Sequence, residues 1–433
     1  MHNRRLFLSG SAATVLAPIV VAPGVAKAQT SLKTYRAADL VDSVGVCTHL
    51  SYSSSVYAKK FDAILPLIVD SKIKHLREEV YVKNNIAYSA PFYQRCRSLA
   101  EAGVKFCCIA ARLVQYPTEA DYYGLETAYK NMNGSIEHFE GVNEPNYASF
   151  STWPAVSAQM QMLLYTAVGN ARELTGVTVV APSYTGSSGR NVGDISAYAD
   201  IGNVHSYPGG AHPETTGTGA LNTYVSSARL VTLQKPVMAT ETGYHSAMTT
   251  TKAHAPTPIP IIARYLPRML VFQFMSGLKR TYLYQFADST ALGDSDQESN
   301  FGLVDANAVP KASYWAVRNL MTIFSEEKPV SEVTPLDLTV SGGTNVQAAA
   351  FQRGDGDYLV TVWRGVSGYN PSSRTVLTVA SETVQLSALQ PLTLVDVRTL
   401  TDTGEVVTDA DGRQGTSFDL TIDGSMRIAR FRR

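Results

Sequence analysis

Two glutamates stand out by type and setting. Glu144 lies in Gly141-Val142-Asn143-Glu144-Pro145-Asn146, and Glu241 lies in Thr240-Glu241-Thr242-Gly243-Tyr244. Each follows a short apolar run that reads as a β-strand. A pair of carboxylates facing one bound bond can divide acid–base work. One is kept protonated to donate to a leaving oxygen, and the other ionised to attack carbon or activate water. Glycosidic bonds are broken by such a pair. Arg77, in His75-Leu76-Arg77-Glu78, and His205 and Tyr207, in Val204-His205-Ser206-Tyr207-Pro208, also close apolar runs. An arginine near one carboxylate favours its ionised form, and burial without a cationic partner would raise the other, here expected to be Glu144.

The elements that must position these groups follow from periodicity. Strands are predicted at Val44–His49, His75–Glu79, Lys105–Ala110, Ile136–Asn143, Val177–Ser183, Gly202–Ser206, Pro236–Glu241 and Thr281–Phe286. Helical periods lie around Val56–Asp70, Tyr93–Ala102, Thr118–Asn131, Pro154–Leu174, Asp194–Tyr198, Ala220–Leu233, Pro258–Leu278 and Lys311–Phe324. The strands are near-continuous apolar runs, as in parallel strands buried on both faces. Eight strand–helix units fit an α/β fold, a (β/α)8 TIM barrel, in which catalytic groups come from the C-terminal strand ends. Strands 4 and 7 then present Glu144 and Glu241 across the barrel mouth. Beyond Glu326-Glu327-Lys328-Pro329 the helical period disappears. Val346–Phe351 and Tyr358–Trp363 flank a turn at Arg353–Asp357, and Phe418, Leu420 and Ile422 alternate with polar residues, giving a C-terminal β-sandwich.

Strand 4 ending in Asn-Glu-Pro, with a lone Glu ending strand 7, resembles glycoside hydrolase clan A. These are retaining (β/α)8 glycosidases that include the cellulase-like family five and the xylosidase-like family thirty-nine. The resemblance spans about residues 35–325. It implies Glu144 as acid/base, Glu241 as nucleophile, Asn143 on the substrate 2-hydroxyl, Arg77 steadying the nucleophile, and His205 and Tyr207 touching nucleophile and sugar. Many clan members end strand 8 with tryptophan; this chain has Tyr282-Leu283-Tyr284-Gln285-Phe286. Tyr284 or Phe286 is therefore expected as platform, with Gln285 on a hydroxyl. His49 is expected to line the sugar site. Trp153 is expected to stack on a ring, with Tyr52, Tyr81, Tyr147 and Tyr244 behind it.

Composition narrows the class. The 433 residues carry 37 basic and 37 acidic side chains, so the net charge is zero. No basic field for nucleic acid follows. Residues 1–28 hold Arg4, Arg5 and Lys27 and no acid, a weak apolar run, and Ala26-Lys27-Ala28. This is expected to be a twin-arginine type export signal, placing the mature protein in the periplasm or outside the cell. The expected division is 1–28 signal, 29–327 barrel and 328–433 sandwich. No stable membrane span is expected after the signal. Cys47, Cys96, Cys107 and Cys108 are expected to be buried thiols. Asp294-Ser295-Asp296-Gln297-Glu298 lacks the glycine and ligand spacing of a calcium loop and suits a cleft wall. No metal and no cofactor are expected. The partner expected is a carbohydrate, and the chain is expected to be a monomer. Endo action is favoured. Exo action or transglycosylation would use the same residues, and a non-catalytic glycan-binding protein on a retired barrel is the alternative from another class.

Overall fold

The computed structural model describes residues 29–82, 90–252 and 254–433. The export signal expected at 1–28 lies outside the described residues. Eight parallel strands form one sheet: β1 (Val44–Cys47), β2 (His75–Glu79), β3 (Lys105–Ile109), β4 (Ile136–Glu140), β5 (Thr178–Val180), β6 (Gly202–His205), β7 (Val237–Thr242) and β8 (Thr281–Leu283). Their spatial order is β5-β4-β3-β2-β1-β8-β7-β6. A parallel bridge between Val180 and Ile201 joins the two ends, with the Ala181 amide donating to the Ile201 carbonyl at 2.8 Å. The sheet is thereby a closed (β/α)8 barrel.

Its interior is filled by side chains drawn from around the ring. Cys47, Cys107, Val180, Ile201, Met238 and Tyr282 form one buried cluster. The Tyr282 ring fits because residue 45 is glycine; a Cβ there would lie 2.4 Å from the ring. All four cysteines are buried free thiols.

Helices α1 (Phe61–Asp70), α2 (Ala90–Glu101), α3 (Leu125–Asn131), α4 (Trp153–Asn170), α5 (Leu221–Thr232), α6 (Ile259–Met275) and α7 (Ala312–Phe324) cover the sheet. In α4, Val156, Met160, Leu164 and Val168 are buried at four-residue spacing, the stripe its sequence prescribes. Pro154 occupies the first turn, where no N–H is needed. The chain leaves α4 at Ala171, which is extended, so the helix expected to reach Leu174 ends as a separate 3-10 turn. Between β5 and β6 the expected helix is likewise only two 3-10 turns, Ser188–Asn191 and Ser196–Tyr198.

The C-terminal sheet contains β9 (Leu338–Gly342), β10 (Val346–Gln352), β11 (Tyr358–Arg364), β12 (Glu382–Leu400), β13 (Val406–Ala410), β14 (Gln414–Ile422) and β15 (Arg427–Arg432). The β10–β11 hairpin pairs from Val346↔Arg364 to Gln352↔Tyr358. The long β12 shifts register between Ser387 and Leu392, and its two halves take different partners. The first half pairs with β9 and most of β14; the second pairs with β13 and β15 and meets the start of β14 at Leu392↔Gly415 and Thr393↔Gln414. Val384, Leu386, Leu394, Phe418, Leu420 and Phe431 share its own hydrophobic core. Residues 30–36, which the sequence places with the barrel, pair in this sheet instead. Thr30–Ser31 adds to β9 and Thr34–Arg36 lies parallel to β10.

A buried ionic cluster joins the two parts. Arg268 on α6 forks onto Glu214, donating to its two oxygens at 3.0 and 2.5 Å. The Trp363 indole N–H, from β11, donates to Glu214 Oε1 at 2.6 Å, and Arg268 also reaches the carbonyls of Gly424 and Val366. Trp363, the sandwich's only tryptophan, is wholly buried in this joint. Burial alone would raise the Glu214 carboxyl, but Arg268, His212 and Trp363 together bring it from 4.5 down to about 2. Because the folded value is depressed, its stabilisation is full above pH 4.5 and is lost as pH falls from there through about 2. Glu214→Gln should remove that acid-side component and lower the melting temperature at neutral pH, stranding Arg268 at a cost of about 3–5 kcal/mol. Thermal melts of both proteins across pH 2–7 check this; parallel curves would contradict it.

Candidate active site

At the C-terminal mouth of the barrel lies a cleft of about 540 Å³. Its floor is organised by Arg77, which is only 4 % exposed. Nε and Nη2 form a fork with Glu140 at 2.6 and 2.8 Å. Nη1 donates to Glu241 Oε1 at 2.6 Å, and Nη2 also to Asn143 Oδ1 at 2.8 Å. One guanidinium on β2 therefore fixes groups from β4, the loop after it, and β7. Glu140 is fully buried. It also accepts from Asn203 Nδ2 at 3.0 Å and from the Thr240 hydroxyl at 3.1 Å. A buried carboxylate held by a planar fork and two further donors is compensated where a lone one would be costly.

The second oxygen of Glu241 accepts from the Tyr207 hydroxyl at 2.7 Å. Tyr207 is positioned by aromatic edges of Phe301 and His254, with centroids 5.9 and 5.0 Å away. Glu241 thus meets a guanidinium on one oxygen and a phenol on the other.

Glu144 sits differently. Its backbone is left-handed, with φ +43° and ψ +53°, between β4 and the 3-10 turn Pro145–Tyr147. A non-glycine residue there stores roughly 1–3 kcal/mol. The Ser183 hydroxyl accepts its amide at 3.2 Å. His205 Nδ1 lies 2.7 Å from Glu144 Oε1 and 3.4 Å from Glu241 Oε2, while Nε2 faces the Thr240 hydroxyl at 3.2 Å. The expectation that Glu144 has no cationic partner is therefore corrected. Burial pushes its carboxyl upward, but the His205 hydrogen bond and charge, then Arg77 and His254, outweigh burial and hold it below the ordinary glutamate value. The sequence placed His205 on the nucleophile side, whereas its shorter contact is to Glu144.

Ligand atoms of Glu144, His205 and Glu241 all fall within 4.8 Å of one another, close enough to surround a cation. The arrangement is already bridged by donors, since His205 stands between the carboxylates and Arg77 and Tyr207 take the oxygens of Glu241. A cation would have to displace these contacts.

A second wall comes from β1, β2 and the loop after β8. The Tyr284 hydroxyl donates to Glu298 Oε2 at 3.0 Å and faces His49 Nε2 at 3.2 Å. His49 stacks on Tyr52, with centroids 4.6 Å apart. Burial, with Arg77 opposing Glu241, lowers the His49 imidazole to about 4, so it is neutral at pH 7. Glu79 accepts from Tyr52 at 3.2 Å. Tyr147, at the rim, is 73 % exposed.

The structure brings Asn143, Glu144, Glu241, Arg77, His205, Tyr207, His49 and Tyr284 to this cleft. Other expected contacts lie elsewhere. Trp153 begins α4 and packs towards Tyr184, at 6.2 Å between centroids. Tyr244 is buried, its hydroxyl donating to the Ala211 carbonyl at 2.8 Å. Gln285 is buried and ties Tyr57 and Ser289 to the Glu298 carbonyl. Phe286, the other expected platform, is fully buried. Sequence reasoning missed Glu140, Tyr224, Lys252 and His254. Glu140 had a signal: a carboxylate inside an apolar strand, in a barrel that also buries an arginine, needs that arginine. Gln297 and Glu298 stand in the cleft wall, where the loop after β8 was expected to lie.

No protein-family model matches the chain, and no curated protein matches it in sequence. Among solved structures, it is similar to a family 39 glycoside hydrolase from the gut symbiont Bacteroides cellulosilyticus WH2. The TM-score is 0.60 at 19 % identity, over 90 % of this chain and 81 % of the other. It is also similar to a glucosidase from Croceicoccus marinus, with a TM-score of 0.56 at 13 % identity over 85 % and 91 % of the two chains. At these identities the likeness establishes the fold.

His205→Asn should raise the Glu144 carboxyl by removing its principal lowering partner while leaving burial in place. Carboxyl-carbon NMR titration of glutamate-labelled protein reads the shift; an unmoved or lowered Glu144 titration would contradict the assignment. Glu144 is thus a half-buried carboxyl whose nearest partner is one imidazole, at the mouth of a barrel of the fold shared with those two glycosidases.

Proposed function

We propose that the protein is an exported, retaining glycoside hydrolase acting on β-linked oligo- or polysaccharide. The observation that carries this reading is the approach of Glu144 and Glu241 within 4.8 Å, at opposed strand ends of the barrel. Retaining enzymes place their carboxyl groups about 5–5.5 Å apart, whereas inverting ones leave about 6.5–9.5 Å for a water. The short approach supports retention.

In this reading, Glu241 attacks the anomeric carbon as the glycosidic C–O bond breaks, and Glu144 gives its proton to the departing oxygen. Water then attacks the glycosyl-enzyme, returning a proton to Glu144 and freeing Glu241. Arg77 and Tyr207 aim the Glu241 oxygens before attack. The Asn143 carbonyl oxygen is held by Arg77 and Ser183, which leaves its amide N–H2 to donate to a substrate hydroxyl. The His205 hydrogen bond that helps hold the Glu144 carboxyl below its ordinary value makes the protonated acid scarce in the free enzyme at neutral pH. The exposed face of Tyr147 at the rim offers stacking surface beyond the cleaved bond and supports endo action.

The test uses two variants against aryl β-glycosides and β-glycan oligosaccharides. Glu241→Gln should abolish turnover of every substrate. Glu144→Gln should lower turnover of unactivated oligosaccharides by about 10²–10⁴-fold, the usual worth of positioned proton transfer, and spare dinitrophenyl glycosides whose leaving group needs no proton. Wild-type kcat in Glu241→Gln would sink the reading. Tight glycan binding by the wild type without any turnover would move it to the glycan-binding class.

A further inference from the structure

The sandwich reaches a loop that borders the cleft, at a place its own sequence does not advertise. A short hairpin, Tyr369–Asn370 paired with Thr375–Val376, projects from it. The turn is set by Asn370, whose side-chain oxygen accepts the amides of Ser372 and Ser373 at 3.0 and 3.2 Å. Arg374 then adopts a left-handed backbone, with φ +55°, which a side chain rarely occupies without support. The support is across the domain joint. The Arg374 guanidinium donates to the Met248 carbonyl and, at 2.7 Å, to the Thr250 carbonyl. Both carbonyls belong to the loop that follows β7 and Glu241.

That loop is held from its other side by the loop after β8. The Met248 amide donates to Asp294 Oδ1 at 2.9 Å, the Thr249 amide to the Asp294 carbonyl at 3.2 Å, and the Ser246 amide to the Asn300 carbonyl at 3.0 Å. The same hairpin meets the loop after β6. A Cβ on Gly210 would come within 3.0 Å of Pro371 and 3.1 Å of Ala255, so glycine there lets the hairpin and both loops close together. The clamped segment leads to Lys252 and His254, which line the cleft.

We propose that the sandwich shapes the cleft through Arg374, a positioning residue that fixes the loop after β7 and thereby the cleft wall carrying His254. The proposal rests on the glycosidase reading for its kinetic consequence but not for its structural one. A charged fork on two carbonyls of one turn is specific; no other described residue of the hairpin bonds this loop with a side chain.

The test makes Arg374→Ala and Arg374→Lys in the full chain, with His254→Ala and the Arg374→Ala/His254→Ala double variant. Hydrogen exchange of the amides at 246–250 is the first readout. Arg374→Ala should exchange there at least about tenfold faster, with the β4 and β7 amides unchanged and the lysine variant intermediate; unchanged exchange at 246–250 overturns the proposal whatever the substrate. The second readout is turnover of the best aryl β-glycoside and oligosaccharide. Arg374→Ala should raise KM for the oligosaccharide about fivefold or more with kcat within about twofold, and the double variant should match His254→Ala alone. Unchanged KM, independent multiplying effects, or loss in proportion to a fall in melting temperature would overturn it. Absence of any wild-type turnover would count against the glycosidase reading, and the exchange result would still decide this one.

Discussion

The cleft is organised around one buried guanidinium. Arg77 and Glu140 are both almost completely hidden from water, and neither would be tolerated there alone. Together they form a planar fork whose remaining donors reach outward to Glu241 and Asn143. Strands β2, β4 and β7 are thus cross-linked where their side chains emerge at the barrel mouth. Thr240 and Asn203 extend the network to β6 and to His205. Displacing any one of these groups moves the others, because each donor has been spent on a particular oxygen.

This constraint also sets the contrast between the two catalytic candidates. Glu241 receives a cation and a phenol, whereas Glu144 receives an imidazole and is held on a strained left-handed backbone. Two equal carboxyls within 4.8 Å would compete for one proton. Unequal surroundings suit them to the different tasks of the proposed reaction. The His49–Tyr284–Glu298 wall adds hydrogen-bonding groups at the other side of the cleft without touching the pair.

Much of this was legible in the chain. The apolar runs gave the eight strands, with β2 matching its prediction residue for residue, and Glu144 and Glu241 fell at the ends expected of them. What escaped was tertiary. Trp153, Tyr244 and Gln285 have the right types and near-correct positions, but their rotamers face the packing between barrel and helices, a choice made by neighbours such as Tyr184 and Tyr57. His205 was placed near the pair, yet which carboxylate it would touch depends on a strand offset that no local pattern carries. The contribution of residues 30–36 to the second sheet is likewise a pairing over some three hundred positions, invisible to periodicity. The joint at Trp363 makes the sandwich's tryptophan part of the frame rather than a sugar-facing surface.

In the proposed reaction this network makes Glu241 the attacking group and leaves Glu144 to handle protons. The most direct measurement is mass spectrometry of the protein after reaction with a 2-deoxy-2-fluoro β-glycoside bearing a dinitrophenyl leaving group, matched to the best substrate. One covalent sugar per chain is expected, on the peptide containing Glu241 and on that residue. A label on Glu144 or elsewhere, or turnover of true substrate with inverted anomeric configuration and no label, would contradict it.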